Sequence, residues 1–271
     1  MENRIKEYET YLREQELAEG TIKSYLRYAK QIEEYIQKAG ASKQTVLDYK
    51  QELKQRKVAP ATFNLMIISI NKYLKYTGRG ECTVKTQKIQ KRKSLENVIS
   101  IDEYKKMLKS VRTGKSRKYY YIMRTLAQTG IRVSELQYFT VEILKRKKIM
   151  VYNKGKTREI FLPDSLIREL EEYCEIENIK NGVIFKGSTE KPIGRASVYK
   201  MLVRIGTDVG VPKEKIYPHS FRHLFAVTYM NCYGNLTELA DILGHSNLET
   251  TRIYTLSTAE EKRKRMDNLG L

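Results

Sequence analysis

Only three cysteines, Cys82, Cys174 and Cys232, occur among the 271 residues, and they are widely spaced. An odd, scattered set of this kind makes neither a disulfide framework nor a zinc-ligand pattern. Long apolar runs are lacking as well. The longest, Phe63 to Ile70, is eight residues and contains Asn64 and Ser69, far short of the roughly 20 that cross a bilayer. The amino-terminal MENRIKEYETYL mixes charges and has no apolar signal-peptide core, so a cytoplasmic protein is expected. Acidic residues are in deficit. There are 32 Asp+Glu against 51 Lys+Arg, a formal net charge of +19. A charge excess of this size suits a partner made of phosphates, although a merely basic enzyme is the competing reading. The 41% of hydrophobic residues is enough to build cores, and the length fits one large domain or two ordinary ones.

The charge is unevenly spread. Residues 79–93 (RGECTVKTQKIQKRK) hold six basic residues against the single acid Glu81, end in Lys91-Arg92-Lys93, and show no apolar periodicity. The segment reads either as a basic interdomain linker offering Lys88, Lys91, Arg92 and Lys93 to a phosphate backbone or as a solvated loop. Before it, residues 1–78 read as four helices. Ile5, Tyr8 and Leu12 share one face. Ile22, Tyr25, Leu26, Ala29, Ile32, Tyr35 and Ile36 mark a second helix, entered at Thr21 and closed by Gly40. A third runs from about Thr45 to Arg56, and a fourth follows Pro60 and stops at Gly78. After it, residues 94–271 read as helical around one hairpin, in which Lys148–Asn153 and Arg158–Leu162 flank Lys154-Gly155-Lys156-Thr157. The fold class expected is mainly α with a small antiparallel β-sheet.

Candidates for chemistry are few. All three histidines lie between 219 and 245, in His219-Ser220-Phe221-Arg222-His223 and in Leu243-Gly244-His245-Ser246. On a helix the spacing of three puts His219 and Arg222 on one face, where they suit a single anion. Thr129-Gly130-Ile131-Arg132-Val133-Ser134-Glu135-Leu136 reads as a helix stop, a tight turn and a restart capped by Ser134 or a neighbour. An arginine beside free backbone N–H groups is well placed for phosphate. Taken singly, Arg132 also reads as a surface residue, Lys154 as a turn lysine and Tyr254 as a packing tyrosine.

Together and in order, Arg132, Lys154, His219-x-x-Arg222, His245 and Tyr254 resemble the catalytic set of the tyrosine recombinase (phage integrase) family, in its compact Xer-like form. The steps of 23 from Arg222 to His245 and 9 from His245 to Tyr254 fit, as do the strings TGIRVSEL, NKGKTREIFLP, HSFRHLFA and LGHSNLETTRIYT. The resemblance covers nearly the whole chain. It implies an all-helical SAM-like core-binding domain (1–78), a linker (79–93) and a mixed α+β catalytic domain (94–271) with a tail at 258–271.

The reaction implied is site-specific cleavage and rejoining of duplex DNA through a covalent 3′-phosphotyrosyl intermediate. Tyr254 would be the nucleophile, and Arg132 and Arg222 would be the clamps on the phosphate. Lys154 would be the general acid. His219 would help the tyrosine lose and regain its proton, and His245 would bond the scissile phosphate. Glu135 would orient the arginines and histidines, with a helix-surface acid as its competing reading. Neither metal nor cofactor is expected, since fixed cations take the electrostatic role. The expected partner is double-stranded DNA bearing core sites. Four copies would meet in the synaptic complex, from a monomer or weak oligomer when free. The sequence departs from the family in one place: Tyr254 is followed by Thr255-Leu256-Ser257 where relatives often have Thr-His. A type IB topoisomerase and a catalytically dead DNA-binding relative are the alternatives.

Overall fold

The computed structural model describes residues 2–89, 97–112, 117–153, 156–245, 247–255 and 267. The chain divides into two compact units, Met1–Arg92 and Lys93–Leu271. The expectations for Lys91, Arg92, Lys93, Lys154 and the tail 258–271 fall outside the described residues, Asp267 excepted.

Four helices make the first unit: α1 (Glu2–Glu14), α2 (Glu19–Ala39), α3 (Lys43–Gln55) and α4 (Pro60–Tyr76). Apolar residues three and four apart give each helix one inward face. Tyr8, Leu12, Ile22, Ile32, Leu53, Ile67 and Tyr73 accordingly close a single core. Two helices begin earlier than periodicity predicts. α2 starts at Glu19, where an acid favours the positive end of a helix. α3 starts at Lys43 because the Ser42 hydroxyl accepts the Thr45 N–H at 3.0 Å.

Beyond α4, Gly80–Cys82 form one 3-10 turn. Asn71 and Asn64 then act as paired amide clips. Asn71 bonds both the N–H and the carbonyl of Val84, and Asn64 does the same for Gln87. Residues 79–87 are thereby fastened to the helical unit rather than hanging free, and Lys88 just beyond is exposed. Buried Glu33 anchors the start of this segment. Its carboxylate takes Arg79 at 3.0 Å and Arg4 at 2.6 Å, which offsets the cost of burying its charge.

The second unit opens with α5 (Ile101–Ser110), capped reciprocally by Ser100 and Glu103, and α6 (Arg117–Thr129). A 3-10 helix (Val133–Tyr138), α7 (Val141–Leu144), β1 (Lys148–Asn153) and β2 (Lys156–Phe161) follow. The remaining helices are α8 (Asp164–Ile176), α9 (Arg195–Asp208), α10 (Pro218–Tyr233), α11 (Leu236–Leu243) and α12 (Leu248–Thr251), with a last 3-10 turn at Arg252–Thr255. The strands pair antiparallel, Lys148 opposite Phe161 through Asn153 opposite Lys156. β2 thus begins two residues before its predicted start, since Lys156 and Thr157 join the ladder and leave only positions 154 and 155 between the strands. Ile149, Val151 and Ile160 point into the core while Met150, Tyr152 and Phe161 stay exposed, the alternation expected of a sheet covered on one side.

Helix α10 passes through the unit, with Phe221 buried in the main core among Met107, Ile122, Leu126, Leu170 and Leu202. Farther along, Ala226 joins Leu239, Leu243 and Tyr254 in a small separate cluster. The three cysteines are all free, Cys82 and Cys174 buried and Cys232 exposed.

Candidate active site

Chain breaks and helix ends bring the functional side chains together. α6 stops at Thr129 because Gly130 takes φ +60°, a left-handed conformation that glycine tolerates best. Arg132 follows in extended conformation. The cap of the next turn is Glu135 rather than Ser134: its carboxylate accepts the Arg132 backbone N–H at 2.8 Å. The same carboxylate takes the Arg132 guanidinium at 3.2 Å and that of Arg158 on its other oxygen. Glu135 is 1% exposed. It therefore pins two arginines and hydrogen-bonds to no histidine among the described residues.

Arg222 is buried on α10 without a carboxylate hydrogen-bond partner among the described residues. Its Nη1 donates to the Gly130 carbonyl at 2.7 Å, and its Nη2 to the Leu243 carbonyl and to His245 Nε2, the latter at 3.0 Å. Arg158 Nη1 donates to the neighbouring Ile242 carbonyl at 2.5 Å. These carbonyls end α6 and α11, where helix dipoles leave negative charge and unpaired acceptors. Helix ends thus do for Arg222 what a carboxylate does for Arg132. Both Arg222 Nε and Arg158 Nε are buried without a partner among the described residues, donors that an incoming anion would satisfy. Burial, then the charges of Arg132 and Arg158, push the Arg222 pKa down to about 9. The fork still carries its charge at neutral pH.

The donors fix the tautomer of His245. Arginine only donates, so Nε2 accepts and the ring proton sits on Nδ1, which donates to the Thr251 hydroxyl at 2.8 Å. Burial and then the charges of Arg222 and Arg132 lower its pKa to about 4, which keeps it neutral. His219 lies in the first turn of α10 with an open face. Desolvation by its surroundings, then Arg222, Arg132 and Arg195, push its pKa down. An open cleft of about 1230 Å³ is lined by Arg132, Arg158, Arg195, Tyr217, His219 and His245, among others. Three of the predicted residues, Arg132, His219 and His245, thus face one space, with Arg222 behind it.

Tyr254 sits differently from expectation. Its ring is 7% exposed, and its hydroxyl meets His223 Nδ1 at 2.7 Å, not His219. His223 is one helical turn beyond His219 and so lies on the same side of α10 but deeper. Burial raises the Tyr254 pKa to about 12, with Arg222 opposing. The phenol is protonated at neutral pH.

Sequence reasoning missed His223 and Arg158. A signal for Arg158 existed: on β2 it shares the parity of Ile160 and pairs with buried Val151, a cation on an apolar face. Gly244 ties this arginine to the site. It has φ +63°, and a Cβ there would overlap Arg158 Cδ. We expect Gly244→Ala to lower the stability of this unit by about 1–2 kcal/mol from backbone conformation alone. Urea unfolding measures that loss.

Among the described residues, no three of His, Cys, Asp and Glu converge as a metal site would require.

The sequence profile of the Phage integrase family matches residues 97–261, and that of the phage integrase N-terminal SAM-like domain matches residues 5–80. The chain belongs to the phage integrase family. It is an enzyme that breaks and rejoins DNA through a tyrosine, and the topoisomerase and inactive relative weighed above are not favoured. The chain is similar to the tyrosine recombinase XerA of Thermococcus onnurineus, 26% identical over 98% of this chain and 95% of that protein. It is also similar to the tyrosine recombinase XerD of Staphylococcus aureus, 28% identical over 97% of each. A lambda integrase dimer bound to a COC′ core site shares the fold at TM-score 0.73 and 16% identity, over 96% of both chains.

Proposed function

We propose that this member of the family recombines duplex DNA at its own core site, with the six residues above in the following roles. The Tyr254 oxygen attacks phosphorus as its proton passes to a histidine of the His219–His223 motif, the bond to the 5′-oxygen breaks, and a 3′-phosphotyrosyl link remains beside a 5′-hydroxyl. Lys154 supplies the proton that the leaving oxygen takes up. Arg132 and Arg222 bond the non-bridging oxygens as charge grows on them, and Glu135 holds Arg132 in place. A phosphate that draws Arg222 Nη2 toward itself frees His245 Nε2; once the ring proton moves to Nε2 and the Thr251 hydroxyl turns to donate to Nδ1, His245 donates to a phosphate oxygen. His219 lines the phosphate's approach. Rejoining is the reverse, with bond energy kept in the phosphotyrosyl link, so no nucleotide cofactor is consumed.

Basic residues of the linker, Lys88, Lys91, Arg92 and Lys93, grip the backbone, and four copies assemble on two sites in the cytoplasm. The observation that supports this reading most is the convergence of Arg132, Arg222 and His245 beside a buried tyrosine hydroxyl.

The test uses duplexes selected for binding from a random-sequence pool and nicked at successive positions, so that cleavage releases a short fragment and cannot reverse. The expected result is an SDS-resistant protein–DNA adduct that maps to Tyr254. Tight, selective binding without any adduct would refute the reading. With six to ten phosphate contacts, affinity should fall about 10³–10⁵-fold between 50 and 200 mM salt, and a binding titration at the two concentrations measures it.

A further inference from the structure

The motif carries two histidines, and the reaction as outlined does not choose between them. His223 is half-buried, and its Nδ1 lies 2.7 Å from the Tyr254 hydroxyl oxygen. We propose that His223 positions the nucleophile, holding the Tyr254 hydroxyl through Nδ1 and receiving its proton as the oxygen attacks phosphorus. The inference rests on Tyr254 being the nucleophile.

Geometry separates the two histidines of α10. His219 occupies the first turn and lines the cleft where phosphate would lie. His223 is not among the cleft-lining residues. Its ring stands edge-on to that of His219, centroids 4.8 Å apart at 89°, and also meets the edge of Tyr217. Two aromatic neighbours and the tyrosine ring itself fix its orientation. The Tyr254 ring shares an apolar cluster with Ala226, Leu239 and Leu243. A phenol pinned by packing at its ring and by one acceptor at its hydroxyl has little freedom left, which is what a nucleophile needs for near-attack geometry.

The chemistry follows the same direction. A phenolic O–H is a stronger donor than an imidazole N–H, and an imidazole nitrogen is a stronger acceptor than a phenol oxygen. Tyr254 therefore donates and Nδ1 accepts. Burial, then His219 and Arg222, lower the His223 pKa to about 4, so the Nδ1 lone pair stays available at neutral pH. In cleavage the O–H proton passes to Nδ1 while the oxygen–phosphorus bond forms. In rejoining the imidazolium, a ready acid, returns it to the departing phenol. The 5′-oxygen receives its own proton from the other side of the phosphorus.

The nicked duplex reads this out with three substitutions at one position. His223→Ala should slow adduct formation about 10²-fold while leaving DNA binding unchanged. Asparagine places its carbonyl oxygen where Nδ1 stands, whereas glutamine reaches toward Nε2. His223→Asn should therefore recover the part of the rate that comes from holding the hydroxyl, though not the part that comes from taking its proton, and His223→Gln should recover neither. With a 5′-bridging sulfur at the scissile position, the thiolate leaves without a proton. The His223→Ala defect should persist on that substrate, because it lies on the nucleophile's side.

An alanine variant as fast as wild type or faster overturns the proposal, as does equal failure of asparagine and glutamine or rescue by sulfur. A wild-type chain that forms no adduct fails the reading of the reaction instead. The contact itself is then judged by the nitrogen resonance of His223 Nδ1 in 15N-histidine-labelled protein. It should move on Tyr254→Phe, and an unmoved signal overturns the proposal without any cleavage assay.

Discussion

Replacing Tyr254 by phenylalanine should abolish the covalent adduct on nicked duplex while leaving affinity for that duplex unchanged. The ring that packs against Ala226, Leu239 and Leu243 is retained, so the local cluster keeps its shape. What is lost is one oxygen, its bond to His223, and with it the only atom proposed to attack phosphorus. A buried neutral hydrogen bond is worth about 0.5–1.5 kcal/mol, too little to unfold the unit. Loss of the adduct therefore reports chemistry and not folding. The measurement is a denaturing gel of the nicked-duplex reaction beside a native binding titration. A residual adduct would assign the attack to another side chain, and Tyr217, which lines the cleft, is the first to examine.

Arg222→Lys should reduce cleavage by about 10²–10³-fold or more, the cost of removing one preorganised donor from a developing oxyanion. The charge survives this substitution, but the geometry does not. Arg222 reaches the Gly130 carbonyl, the Leu243 carbonyl and His245 from a planar fork, and a single ammonium on a flexible stem cannot span them. Buried acceptors left unmatched should also cost about 1–3 kcal/mol of stability. Unfolding curves and single-turnover adduct formation should therefore be measured on the same preparation. Binding should change little, since most of the grip on DNA comes from other cations. A lysine variant that cleaves at the wild-type rate would place the essential charge elsewhere.

Much of the framework was legible because it is local. The faces of α2 and α4 follow from apolar spacing alone, and Gly40 and Gly130 end helices where the sequence puts them. What escaped is what depends on distant partners. Arg222 is held by a carbonyl 92 residues away, and no local pattern shows that a helix end will replace a carboxylate. Helical spacing gave His219 and Arg222 a common face but said nothing of depth. The tyrosine's partner could be His219 or His223, one turn apart, and only the packing of the last 3-10 turn against α10 selects the second. Arg158 was hidden for another reason: among 51 basic residues, one more lysine or arginine on a strand attracts no notice until its neighbours prove apolar.

The short helix α11 has an implication for how the chain tolerates change in length. Its apolar side steadies the tyrosine through Leu239 and Leu243, and its final carbonyls hold Arg158 and Arg222. One inserted residue would turn everything downstream by about 100°, carrying these groups away from their partners together. Exposed turns such as that at residues 188–190 carry no such constraint. Fusion tags, inserted domains and natural insertions should accumulate in turns of that kind, while the eight residues of α11 stay fixed in number.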